Sequence, residues 1–303
     1  MKNIFPKNFE EQELVNFIYK YQYLNVNDVQ YFFDSKSYYK KRITNLVNSK
    51  ILRRYKSNLV LGEYGVKVMR ILGKDIGRLN YDKKYVDRLK YISHIAAYFH
   101  KCQFVKFTPS FLMKDKEIFT ITSRRYIGEL SINGIKYLVY HISKENKRSY
   151  INSVIYDIQK EIKYKNIIIL VDEIEKINFE DFVFGINSLI VVRDTDIGLE
   201  QLKYMNNVNW PQIIKEKSGN AFLSEYKFCD YADKQNKYIS TFYLIDIEKI
   251  NRINNFLINN EKKNIEVICN EECEKQLKKK IIRATYNIID FSNYIDKEIR
   301  YYD

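Results

Sequence analysis

Glu129 and the run Tyr140-His141-Ile142-Ser143-Lys144 carry the residue types of a metal-assisted hydrolysis site. In such a site, an acid on one hairpin strand and an acid-x-Lys pair on the next hold a divalent metal and activate water. Here His141 occupies the place of the second carboxylate, Lys144 is offset by one residue, and Glu145 falls at a helix start. Glu129, His141 and Lys144 are thus the candidates for a degenerate catalytic site. That site would need Mg2+ or Mn2+; otherwise no cofactor is expected, and a scaffold without cleavage is the stronger reading of these residues. Ile167 to Glu173 (IIILVDE) has the strand and acidic end of a Walker B element. Its phosphate-cradling partner, G-x-x-x-x-G-K-[ST], is absent, so Asp172 and Glu173 read as a strand end entering a loop. Cys102, Cys229, Cys269 and Cys273 make no Cys-x-x-Cys pair, and His94, His100 and His141 complete no metal pattern, so structural zinc is not expected. No tyrosine nucleophile stands out among 27 tyrosines.

A second chemistry is polyanion binding. From Ser35 to Gly62 there is no acidic residue, while Lys36, Lys40, Lys41, Arg42, Lys50, Arg53, Arg54 and Lys56 are basic. Excluding carboxylates from so long a run, in a chain with 38 of them, fits contact with nucleic acid. The helical period over Ser37 to Lys50 turns Tyr39, Ile43, Leu46 and Val47 inward. Ser37, Tyr38, Lys41, Asn45 and Asn48 then face outward, with side chains suited to base edges in a major groove. Lys36, Lys40 and Arg42 fall where phosphates would lie, and Arg53, Arg54 and Lys56 on a β-hairpin would reach a neighbouring phosphate or the minor groove.

The elements that must position these residues follow from periodicity. Phe9 to Tyr23 predicts a helix, Val26 to Phe33 a short one, and Ser37 to Lys50 the recognition-type helix; Ile51–Tyr55 and Asn58–Leu61 predict a hairpin, and Glu63 to Leu72 a further helix. This is the order of a winged helix-turn-helix, assigned to residues 1–80. Tyr85 to Cys102 is an amphipathic helix, read as a candidate dimer surface, with His94 and His100 as packing or surface residues. Strands are expected at 104–107, 117–121, 126–131, 135–142, 167–171, 188–192, 238–246, 265–269 and 287–291, with Asn133-Gly134 a hairpin turn. Helices are expected at 144–163, 179–185, 195–205, 247–259 and 271–282, and 206–235 reads as a linker. Residues 83–303 are therefore read as a mixed-sheet α/β domain, with 83–206 a core and 236–303 a C-terminal extension. The net charge of +13 and pI near 9.2 favour an acidic partner. No apolar stretch approaches a membrane span, and no secretory signal is read at the N-terminus, so a cytoplasmic, nucleoid-associated or plasmid-associated protein is expected.

The order helix, strand, hairpin, strand, helix, strand resembles a restriction-endonuclease-like core. The chain over roughly residues 9 to 205 is similar to the replication-relaxation family of plasmid and mobile-element proteins. The residues carrying the likeness are NVNDVQYFF, RITNLVNSKILRRY and LVLGEYGVKVM, the helix with Leu89 and His94, and the strand YLVYHISKE. Where that family usually shows an acidic residue at the end of the second strand, this chain has Tyr140-His141. The resemblance implies sequence-specific binding of double-stranded DNA in replication, copy control or transfer of a plasmid, phage or integrative element. A homodimer on two half-sites and contacts with other replication or transfer proteins are the expected assemblies. The alternatives are a metal-dependent nickase or relaxase and a winged-helix transcription regulator.

Overall fold

The computed structural model describes residues 6–295, apart from 7, 36–37, 76–81, 114–124, 161–163, 179–180, 182–184, 220, 236 and 282. The chain is a mixed α and β protein of two compact units, Met1–Pro109 and Ser110–Asp303. No helix among the described residues is long and apolar enough to cross a membrane.

The first unit opens with α1 (Phe9–Tyr21), whose first turn is capped by the Asn8 side chain accepting from the Glu11 N–H. A two-residue strand β1 (Leu24–Asn25) and a 3₁₀ helix (Val26–Phe32) lead to α2 (Tyr39–Asn48). A hairpin follows, β2 (Leu52–Tyr55) and β3 (Asn58–Leu61), and β1 pairs antiparallel with β3 to complete a three-stranded sheet. Then come α3 (Glu63–Ile71), α4 (Lys83–Tyr98) and β4 (Val105–Pro109). Leu14, Ile18, Leu24, Val29, Phe32, Ile43, Leu46, Leu52 and Leu59 are all buried and make the core of this unit. Gly65 lets α3 lie against the segment leaving α2, since a Cβ there would come within 2.2 Å of the Ile51 carbonyl oxygen.

The boundary expected near residue 80 falls on residues outside those described, and the compact units instead divide at Pro109. Helix α4 belongs with the first unit. Val86, Leu89, Ile92, Ile95 and Ala96 bury its apolar stripe. His94 Nδ1 lies 3.0 Å from Oδ1 of the buried Asp28 on the 3₁₀ helix. His100, just beyond α4, packs its ring on Phe17 and Phe32. The apolar stripe of α4 is therefore closed inside the unit.

The second unit begins with a short helix α5 (Ser110–Met113) and the antiparallel hairpin β5 (Gly128–Ile132) and β6 (Ile135–Ile142). Asn133 and Gly134 both take positive φ, 49° and 80°, as the two-residue turn requires. Helix α6 (Arg148–Lys160) carries the chain to β7 (Asn166–Val171), parallel to β6, and β8 (Ser188–Arg193) adds in parallel beside it. These strands read as near-continuous apolar runs because they are covered on both faces. One face is formed by Leu138, Tyr140, Ile142, Ile167, Ile169, Val171, Leu189 and Val191, which share a core with Ile151, Val154 and Ile158 of α6. After β8 come α7 (Asp196–Tyr204) and α8 (Trp210–Ser218). The segment expected as a linker thus contains a helix, capped by Asn209 with Pro211 in its first turn, and buries Ile213 and Ile214.

A second sheet uses β9 (Phe222–Leu223), β10 (Tyr231–Ala232) and β11 (Tyr238–Phe242), then β13 (Ile265–Cys269) and β14 (Ala284–Ile288), in the order β14-β13-β11-β10-β9. Between β11 and β13 lie β12 (Ile245–Asp246), α9 (Ile247–Asn259) and, after β13, α10 (Glu271–Leu277). The run 238–246 expected as one strand is two. Tyr243 and Leu244 carry the chain from the second sheet to the first, where β12 pairs antiparallel with β8. Asp246 fixes that junction: its carboxylate accepts from the Ser188 hydroxyl at 2.8 Å and from the N–H groups of Leu189, Glu248 and Lys249. Residues of both sheets share one hydrophobic core, so 236–303 is built into the unit rather than appended to it. The strand expected at 117–121 lies outside the described residues, as does most of the helix expected at 179–185.

Candidate nucleic-acid interface

Helix α2 divides into two faces as its period requires. Ile43 and Leu46 are buried, and Tyr39 and Val47 are half-buried. Tyr38, Lys40, Lys41, Thr44, Asn45 and Asn48 are exposed. The Tyr38 ring lies below the Lys41 ammonium, 5.9 Å from ring centroid to Nζ, so a cation sits on an aromatic face at the helix start. Ser37 and Lys36 lie outside the described residues. The four base-reading candidates that are described (Tyr38, Lys41, Asn45 and Asn48) share the outward side of α2. Thr44, which sequence reasoning passed over, stands among them, with its hydroxyl donating to the Lys40 carbonyl at 3.0 Å.

The hairpin carries the second group of cations. Arg53, Arg54 and Lys56 are exposed, and Lys56 takes φ of 55° in the two-residue turn between β2 and β3. A lysine in the left-handed region is uncommon, because its Cβ crowds the backbone there. Lys50, which closes the helix end with φ of 57°, is exposed as well. Among the described residues, Lys40, Lys41, Lys50, Arg53, Arg54 and Lys56 form no ion pair with a carboxylate.

Arg42 is different. Helical phase sets it on the flank of α2, among the expected phosphate contacts. In the structure its Nε lies 2.9 Å from Oε1 of Glu11 on α1, and Glu11 is only 4% exposed. A buried carboxylate requires a partner, and Arg42 supplies it. Its guanidinium therefore faces the helix packed behind α2, and the outward cations of this surface are Lys40, Lys41, Lys50, Arg53, Arg54 and Lys56.

The catalytic candidates are not brought together. Cross-strand partners share a face of a sheet, and Glu129 pairs with Leu138. Side chains alternate along β6, so Glu129 sits on the face of Leu138 and Tyr140, while His141 points to the other. Glu129 there accepts the Tyr164 hydroxyl and lies 3.7 Å from Lys136 Nζ. The Lys144 side chain is exposed, and its backbone N–H donates to Asp172 Oδ2 at 2.8 Å. A metal shared by Glu129 and His141 does not fit this geometry. His141 instead faces Asp172 and Asp194, at 3.6 and 3.3 Å from Nε2. The readable signal for those two aspartates was an Asp following each of two apolar runs, IIILVD and LIVVRD.

Cys269 and Cys273 are not poised as nucleophiles. Burial pushes the Cys269 thiol up to about 12 and Cys273 well above its ordinary range, so both stay protonated at neutral pH. Cys269 and Cys273 are thus packing residues of the second unit's core. Comparison with protein-family models, curated proteins and solved structures finds no match to this chain.

Proposed function

We propose that the first unit is a winged helix-turn-helix module that binds double-stranded DNA, with α2 entering the major groove and the β2–β3 hairpin acting as the wing. The observation that carries this reading is the run from Ser35 to Gly62, free of acidic residues, which bears exposed amides on α2 and exposed cations on α2 and the hairpin. The order of α1, β1, the 3₁₀ helix, α2, the hairpin and α3, with β1 added to the hairpin sheet, supports it. Lys41, Asn45 and Asn48, with Tyr38, read base edges; Lys40, Arg53, Arg54 and Lys56 grip phosphates. The biological setting, replication, copy control or transfer of a plasmid, phage or mobile element, rests on the resemblance to the replication-relaxation family. Two copies on half-sites would match the usual symmetry of such modules.

Binding to random-sequence duplex, followed by anisotropy over a salt series, tests the reading. Four phosphate contacts predict a slope of log K against log salt of about −3.6. Selection from a random DNA pool should yield a defined site, and Asn45→Ala should relax its sequence choice. If the double substitution Lys41→Ala, Arg53→Ala leaves duplex affinity unchanged, this surface is not the interface.

A further inference from the structure

We propose that His141, Asp172 and Asp194 form a binding site for a single divalent transition-metal ion, of the Mn2+ or Zn2+ kind, at the carboxyl end of the parallel strands in the second unit. The three residues come from adjacent strands. His141 is on β6, Asp172 directly follows β7, and Asp194 directly follows β8. The register sets His141 beside Leu170, and Leu170 beside Val192, so alternation places all three on one face, with the aspartates one step beyond the histidine. That edge of a parallel sheet is where open α/β folds bind their ligands.

Three observations favour an ion over a hydrogen-bonded cluster. One ligand atom from each residue lies within 4.8 Å of the others. His141 Nε2 is 3.3 Å from Asp194 Oδ2 and 3.6 Å from Asp172 Oδ1, longer than the roughly 2.8 Å of a charge-assisted hydrogen bond. Bonds of about 2.1 Å to a tetrahedral metal would hold neighbouring donor atoms about 3.4 Å apart, close to the two distances from His141 Nε2 to the aspartate oxygens. Neither aspartate has a lysine or arginine ion pair among the described residues, in a chain with 51 such residues. Arg193, the residue before Asp194, pairs with Glu175 and Glu272 instead, and Lys176 pairs with Glu173. Two partly buried carboxylates converge on an imidazole and lack a fixed cation.

The surrounding chain holds the donors in place. Asp172 is oriented by the Lys144 N–H, and the Asp194 N–H donates to the Val171 carbonyl at 2.8 Å. Thr195 caps α7 by accepting from the Gly198 N–H. Gly198 brings α7 against the end of β8, because a Cβ there would lie 2.0 Å from the Arg193 carbonyl oxygen. One imidazole and two carboxylates suit a borderline cation, whereas Ca2+ takes six to eight oxygens and Mg2+ favours an all-oxygen shell. The side chains keep 14 to 30% of their surface, so the remaining positions open to water or an oxyanion.

The test uses the full chain freed of metal by chelation, then titrated with MnCl2, ZnCl2 and MgCl2 by calorimetry, with thermal melting in parallel. One equivalent of Mn2+ or Zn2+ should bind and raise the melting temperature of the second unit, with Mg2+ much weaker. His141→Ala and Asp194→Asn should each weaken binding by at least about ten-fold, since even indirect supports of metal ligands count for that much. Glu129→Gln, on the other face, should bind as the unsubstituted chain does. Circular dichroism checks that each variant folds, and Asp172→Asn serves as a third ligand variant if one does not. No saturable binding below millimolar metal, or full affinity in folded His141 and Asp194 variants, would overturn the proposal.

Discussion

Replacing Arg42 by alanine separates a structural cation from those proposed to contact DNA. Its loss would take a charged partner from the Glu11 carboxylate, which is 4% exposed and ion-paired with Arg42 at 2.9 Å. Breaking a buried pair from one side costs about 3–5 kcal/mol. The Arg42 side chain keeps 19% of its surface, so water softens the penalty, and about 2–3 kcal/mol is the expected loss. At about 4–8 °C per kcal/mol for a unit of this size, the first unit's melting transition should fall by about 10–20 °C. Measured below that transition, the salt slope of duplex binding should hold. Arg53→Ala should do the reverse: a slope shallower by about one unit and a melting temperature nearly unmoved. Substituting both Glu11 and Arg42 by methionine should recover most of the lost stability, because the pair leaves together. A normal melting temperature with a shallower slope in Arg42→Ala would refute the assignment of Arg42 to Glu11.

Two further outcomes follow from the first unit. Lys56→Gly removes a charge and relieves a positive φ of 55° at once. The variant should melt slightly higher, by up to about 1 kcal/mol in stability, yet bind duplex more weakly at low salt. His100 lies on Phe17 and Phe32, and burial lowers its pKa below 6.5, against the opposing pull of Glu13. A lowered folded-state value means the unfolded chain binds the proton more readily. Stability from this group is therefore present above pH 6.5 and lost as pH falls from there through the lowered folded-state value. Denaturant melts between pH 7.5 and 5 should show that loss, and His100→Phe should flatten it; an unchanged profile would show that His100 does not set it.

The elements bounded by strong local signals were legible in the sequence. Asn133-Gly134 fixed the hairpin, and Ile135–Ile142 came out as read. Ile247–Asn259 and Ile265–Cys269 also match, because an Asp cap precedes one and a β-branched run defines the other. What failed was information about partners. The stripe on α4 predicts that something covers it, not that Val29 and Phe32 lie in the same unit's core. The phase of α2 sets Arg42 on the flank, and only the fold brings Glu11 to it. Asp172 and Asp194 are distant in sequence and meet because β7 and β8 lie side by side in parallel register. Residues 206–235 looked like a linker because α8 buries so few apolar side chains, chiefly Ile213 and Ile214.

The short strand β12 has a consequence for how the chain can be cut. By pairing with β8 at Ile190 and Val191 it covers the middle of an apolar edge that would otherwise present open backbone donors and acceptors. Such an apolar edge recruits other strands. A fragment ending before Tyr238 would keep every strand from β5 to β8 and still be prone to sticking to itself. A soluble fragment of the second unit should therefore carry Ile245–Asp246.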